Sequence, residues 1–242
     1  PLIEEGDNLV EIILTALERN KISLSNGNVL VIAQKIVSKS EGRYASLNDI
    51  KPSQQAIDLS RETDKDPKLV QLILNESKEV VRYRKGVIVV ENILGLIHAN
   101  AGIDKSNIKS DSNNPRVLLL PLNPDKSAKE IRKEILKKTK KKVGIIINDS
   151  SGRAWRNGIV GIAIGSSGAE VLSDLKGNLD LFGNTLEVTE VGKADEVASA
   201  ASLLMGQGKE ALPVVVIKGL TESEDLNGAK ALIRKSSEDL FR

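Results

Sequence analysis

The stretch 143–168, VGIIINDSSGRAWRNGIVGIAIGSSG, constrains the fold more than any other part of the chain. It opens with a β-branched apolar run, Val143 to Ile147, which has the length of a buried strand and halts at Asn148, Asp149, Ser150 and Ser151. The predicted strand end therefore carries a carboxylate and two hydroxyls. Arg153 and Arg156 follow, and a second apolar run, Ile159 to Ile164, leads into a glycine loop from Gly165 to Gly168. Hard cations take carboxylate and hydroxyl oxygens, and arginine meets phosphate bidentately, so the stretch is equipped for a metal ion and a phosphorylated ligand.

On the amino-terminal side, Leu9, Ile12, Ile13, Ala16 and Leu17 recur at helical spacing behind Asp7 or Asn8 as cap, which predicts a first helix. Val29 to Ala33 reads as a short buried strand running into the polar cluster 34–39. Residues 53–61 and 67–76 read as helices, and 79–83, 86–90 and 94–99 as an antiparallel meander. A polar loop at 109–116 and a short strand at 118–120, with 121–124 as its exit, precede an amphipathic helix at 127–138. Its end, the lysine run Lys137 to Lys142, reads as a solvated terminus whose cations complement the helix dipole.

Beyond the central stretch the pattern predicts turns at 177–183, a strand at 186–191, and a small-residue helix from Ala194 to Met205. A strand at Val214 to Ile217 and a charged terminal helix at 227–240 complete it. The expected class is α+β, with mixed, largely antiparallel sheets and packed helices. No repeat or low-complexity linker marks a boundary, so 1–242 is read as one domain.

Composition removes several chemistries. With no cysteine, thiolate nucleophiles, cysteine zinc sites and disulfides are excluded, and any metal site is built from oxygen. The one histidine, His98, makes a Ser-His-Asp triad hang on a single residue and reads as an ordinary strand-end side chain. Aromatics are only 2% of residues, which weighs against a stacking surface for single-stranded nucleic acid. No apolar run reaches the roughly 20 residues that span a bilayer, and no leader is visible, so a cytoplasmic protein is expected.

The standard nucleotide signatures are missing: there is no G-x-x-x-x-G-K-[ST], and Gly158, Gly161, Gly165 and Gly168 do not fit G-x-G-x-x-G. What remains is polar clusters at predicted strand ends, 34–39, 104–107, 149–156 and 206–210. Taken singly, such clusters are ordinary turn formers.

Taken together, and in chain order, they carry a resemblance. IVSKSEGR at 36–43, NAGIDKSN at 100–107, NDSSGRAWRNGIVGIAIG at 148–165 and ADEVASAASLLMGQG at 194–208 resemble signature blocks of the coenzyme F420 gamma-glutamyl ligases. The opening PLIEEGDNL is similar to that family's amino-terminal nucleotide segment. The resemblance spans essentially the whole chain.

It implies a GTP-dependent enzyme that joins L-glutamate to the deazaflavin precursor F420-0, and then adds γ-linked glutamates. It also implies divalent cations, Mg²⁺ or Mn²⁺ with K⁺ as a further ion, a homodimer, and a two-lobed fold, here expected without the reductase domain that follows the ligase part in some members. By position, Asp104 and Asp149 match the ligands of one metal, and Ser150 and Gln207 those of a second. Pro1, Leu2, Ile3, Glu4, Gln34, Lys35, Lys39 and Asn107, with Met205, Gly206, Gln207, Gly208, Lys209 and Glu210, match GTP contacts. Asp149, Arg153 and Arg156 are the expected catalytic group. Two positions depart from the pattern: Gln207 stands where an acidic ligand can occur, and a neutral amide oxygen holds Mg²⁺ or Mn²⁺ more weakly than a carboxylate. Ser150 stands where threonine is common and keeps the hydroxyl.

The residues by themselves leave two other readings open. One is a different metal-dependent phosphoryl-transfer enzyme acting on an acidic acceptor; the other is a non-catalytic nucleotide- or RNA-binding module that uses the 137–142 lysines.

Overall fold

The computed structural model describes residues 2–111 and 113–240. In chain order the elements are α1 (Leu9–Arg19), β1 (Val29–Ala33), α2 (Gln34–Ser40), β2 (Tyr44–Ser46), α3 (Gln54–Thr63) and α4 (Pro67–Asn75). Then come β3 (Ser77–Arg84), β4 (Val87–Asn92), β5 (Ile97–Ala99), β6 (Arg116–Leu118), α5 (Pro124–Thr139), β7 (Gly144–Arg153) and β8 (Arg156–Ser167). The last are β9 (Ser173–Asp174), β10 (Glu190–Val191), α6 (Lys193–Met205) and β11 (Val214–Ile217). The class is α+β. One four-stranded mixed sheet, ordered β11-β1-β7-β8, is joined by smaller antiparallel sheets β3-β4-β5, β2-β6 and β9-β10.

The main sheet explains the apolar runs. β1 pairs in parallel with β7 and antiparallel with β11, and helices cover both faces. Leu30, Ile32, Ile145 and Ile147 pack with α1 and α5, whereas Val29, Val31 and Ile146 pack with Ala194, Ala198 and Ala201 of α6. A strand buried on both sides has no polar face to show, so its sequence is continuously hydrophobic. A second core lies among α3, α4, β4 and β6, around Val70, Ile73, Ile88 and Val90. Arg43 bridges the main core and this second one: its Nε donates to Leu120 O at 2.8 Å and its Nη2 to Glu76 Oε2 at 3.0 Å.

The helix starts follow cap chemistry: the side chains of Asn8, Ser53, Asp66 and Asn123 each accept from a backbone N–H of the first turn. Asn123 followed by Pro124 also corrects the expected strand exit at 121–124, because α5 begins there.

Other expectations are revised. The strand expected to halt at Asn148 continues to Arg153, since β8 supplies partners along its whole length. The expected glycine loop is mostly strand: Gly165 lies inside β8 with the Pro124 backbone 2.5 Å from where a Cβ would sit, and only Gly168 leaves it, at φ +71°. The strand expected at 118–120 is β6, displaced toward the amino end by its pairing with Tyr44–Ser46. The strand expected at 186–191 shrinks to Glu190–Val191. The terminal helix of 227–240 is replaced by two short 3-10 turns at Ala229–Leu232 and Ser236–Glu238. There Asp125 of α5 accepts from the N–H of Ala229, tying that segment to α5 instead of leaving it a free helix.

Candidate active site

β7 organises the site because neighbouring strand residues point to opposite faces. The β1–β7 ladder continues to Asn148, and the β7–β8 ladder carries the next residues onward, pairing Asp149 with Ile162 and Ser150 with Gly161. Asp149 therefore projects on one side of the hairpin and Ser150 on the other.

On the first side stands a two-carboxylate group. Lys35, in the first turn of α2, lies 2.8 Å from Asp104 Oδ2 and donates to Ser106 Oγ at 2.6 Å. Asp104 Oδ1 accepts from the N–H and the hydroxyl of Ser106, at 2.6 and 2.8 Å. Burial pushes the Asp104 carboxyl up, but Lys35 and Ser106 outweigh it and hold the group below the usual carboxylate range. Asp149 is only 13% exposed, with His98 Nε2 3.5 Å from its Oδ2. Burial pushes Asp149 above the usual range; Asp104 adds to that rise, and His98, the Ser150 N–H and Lys35 oppose it. Two carboxyls within electrostatic reach are thus driven apart in acidity. Lys39, one turn along α2, donates to Asn107 O at 2.6 Å, and its ammonium is weakened by burial and by Lys35.

On the second side, Ser150 Oγ donates to Gln207 Oε1 at 2.9 Å, and Gln207 Nε2 donates to Ser202 Oγ at 3.2 Å. Asn148 Nδ2 reaches Met205 Sδ at 3.6 Å. α6 ends at Gly206, whose φ of +70° and ψ of −179° suit glycine alone, and this turn directs 207–210 back over the hairpin. Gly208 O accepts from Asn107 Nδ2 at 3.2 Å, and Gly208 N–H donates to Glu210 Oε2 at 2.8 Å, so this segment closes on the Asp104 side as well.

Four sequence-distant clusters are therefore contiguous. Glu4 sits at their edge, 3.0 Å from Lys109. The Ile3 side chain is buried in the core and Gln34 is buried with its Oε1 bonded to Ser38, whereas Leu2 and Lys209 are exposed. Pro1 lies outside the described residues. Arg153 and Arg156 do not join the carboxylates: they sit at the far end of the hairpin, four residues beyond Asp149, about 13 Å at the usual strand rise. The expected catalytic trio is thereby divided within one chain, because β7 runs on past the point where its apolar run ends. His98, read from the sequence as an ordinary strand-end side chain, is buried against Asp149, and Ser106 and Ser202, not singled out there, brace Asp104 and Gln207. For His98 the only signal was that it is the sole histidine.

A family model described as F420-0:Gamma-glutamyl ligase matches residues 1–219. The chain belongs to this family of ligases. Its similarity to curated relatives runs end to end. It is 45% identical to the coenzyme F420:L-glutamate ligase of Methanocaldococcus jannaschii, over 100% of this chain and 94% of the relative. The protein of that name from Methanothermobacter thermautotrophicus is 43% identical, over 100% and 95%. That from Archaeoglobus fulgidus is 40% identical, over 100% and 93%. The four segments that carried the resemblance in the sequence are the ones the fold brings together beside β7. Among the described residues, no helix is long and apolar enough to cross a membrane.

Proposed function

We propose that this ligase adds L-glutamate to coenzyme F420-0, and then γ-linked glutamates to the growing tail, at the expense of GTP. The observation that carries the reading is the meeting of Lys35–Asp104, Asp149 and Ser150–Gln207 at one point of the main sheet. A carboxylate is a poor acylating agent, so the acceptor carboxylate attacks the γ-phosphate of GTP, giving an acyl phosphate and GDP. The glutamate amine then displaces phosphate, forming the amide and losing a proton. Positioning and charge neutralisation supply most of the acceleration in such transfers.

The donors fit hard divalent cations, Mg²⁺ or Mn²⁺: two carboxylates, a hydroxyl and an amide oxygen, with no sulfur and no imidazole pair. Among the described residues no group of three or more His, Asp or Glu is placed to hold a metal ion by itself, so oxygens of phosphate and water would have to complete the set. Asp104 and Asp149 would hold one ion, Ser150 and Gln207 a second, with K⁺ as a further ion; bound cations neutralise phosphate charge. Lys35 and Lys39 orient the phosphates, and 205–210, with Asn107 and the amino-terminal segment, enclose the nucleotide. The working unit is a homodimer in the cytoplasm, supported by large apolar side chains left in solvent at Leu179, Leu181, Phe182 and Val188.

Incubation with F420-0, glutamate, GTP and Mn²⁺ should give mass gains of one glutamyl unit with matching phosphate release. Phosphate release that does not depend on F420-0, with no mass gain, would overturn the reading.

A further inference from the structure

The tip of the β7–β8 hairpin is not accounted for by the site at its stem. Its turn is two residues long, Ala154 and Trp155, closed by Arg153 opposite Arg156. Three features there run against local stability. Trp155, the only tryptophan of the chain, is 89% exposed. Its φ is +62°, at a turn position where the left-handed backbone favours glycine or asparagine. The two arginines are register partners, and like charges directly opposite one another repel. Neither forms an ion pair with a carboxylate among the described residues; Arg153 Nη2 donates only to Asn157 O, at 3.2 Å.

A bulky aromatic in strained backbone, between two unneutralised guanidinium groups, is what an anionic, flat ligand relieves. Guanidinium pairs take a phosphodiester through directed N–H bonds, and an open indole stacks on a planar ring. F420-0 has these parts in order: a terminal carboxylate, a phosphodiester, a polyol chain and a tricyclic deazaflavin ring. Asp149 lies about 13 Å down the same strand from Arg153, so the hairpin rises from the reacting end toward the arginines and then the ring. Resting on the ligase reading above, we infer that the hairpin tip is the acceptor's docking platform. Arg153 and Arg156 hold the phosphodiester, and Trp155 stacks on the deazaflavin.

The test uses the full-length protein and F420-0, read in two ways: displacement of the deazaflavin absorption band on titration without GTP, and steady-state KM for each substrate. Trp155→Gly suits the backbone at that position, so it should fold as well as wild type. It should abolish the band shift and raise KM for F420-0 at least tenfold, leaving KM for GTP and glutamate within twofold, while Trp155→Phe restores most of the loss. Arg153→Gln with Arg156→Gln should weaken F420-0 binding and flatten its salt dependence. An unchanged F420-0 KM in Trp155→Gly, or a wild type that turns over without any band shift, would overturn the platform and leave the ligase intact. Trp155→Gly that instead dissociates the protein into monomers would also overturn it, making the tip a contact between copies. A wild type that shifts the band yet forms no product would sink the ligase reading and leave the platform standing.

Discussion

Asp149 carries the heaviest conflict between stability and chemistry at the scale of single residues. Its carboxyl is buried beside Asp104, so the folded state holds its proton more tightly than the unfolded chain does. For an acid so shifted, the ionised form is penalised. The penalty grows as pH rises from the ordinary carboxylate range and is complete above the folded value. Asp149→Asn should therefore melt at a higher temperature than wild type at neutral pH without divalent ions, while ligase activity falls on the order of a thousandfold. Mn²⁺ should raise the wild-type melting temperature more than that of the variant, which keeps only the Ser150–Gln207 donors and Asp104, and calorimetry with and without the ion would check this.

Asp104 has the opposite sign. Held below its ordinary value by Lys35 and Ser106, it contributes stability above about pH 4 that is lost as pH falls through the lower folded value. Lys35→Met should cost about 1–3 kcal/mol at neutral pH, by leaving a half-buried carboxylate short of its partner. It should also shrink the acid-side loss in melts recorded across that range.

The decisive element is the β7–β8 hairpin, together with the helix laid across it. α6 can approach because Gly161 has no side chain: a Cβ there would lie 2.5 Å from Asn148 Oδ1, 2.6 Å from Ala198 O and 2.8 Å from Ser202 Cβ. The Ala198 carbonyl is backbone and cannot step aside without moving the helix. Gly161→Val should thus destabilise by about 1–3 kcal/mol and push α6 off the hairpin, parting Gln207 from Ser150. Urea melts and a rise in KM for GTP would register both effects. The same hairpin shows why the strand looked shorter than it is. Buried strand residues announce themselves by hydrophobicity, but Asp149, Ser150 and Gly152 are held in β7 by ladder bonds to β8, which no local pattern displays.

At the scale of the whole molecule, Leu181 and Phe182 stand 98% and 91% exposed in the turns between β9 and β10, and Val188 beside them is also exposed. Large apolar groups so fully in water mark a contact surface. If the proposed homodimer forms through this surface, Leu181→Asp with Phe182→Asp should run as a monomer in light scattering after gel filtration where the wild type runs as a dimer. Because these side chains touch little of their own chain, the melting temperature of the monomer should stay near that of wild type at high dilution. An unchanged dimer would place the interface elsewhere.

Several features were determined by the sequence alone: α1, the first strand, the α3–α4 pair, the meander and α6, each from its local apolar pattern, with a cap residue adding to it at α1. So were the exclusion of cysteine chemistry and the family, which rests on blocks of residues in order. Tertiary structure alone decided which face of β7 each polar residue serves, and hence that Asp149 meets His98 and Asp104 while Ser150 meets Gln207. It also placed Arg153 and Arg156 at the hairpin tip, away from the carboxylates. The reason is physical. Period and capping are local properties of a few adjacent residues, whereas the pairing of β7 with both β1 and β8 joins segments that touch only after the chain has closed on itself.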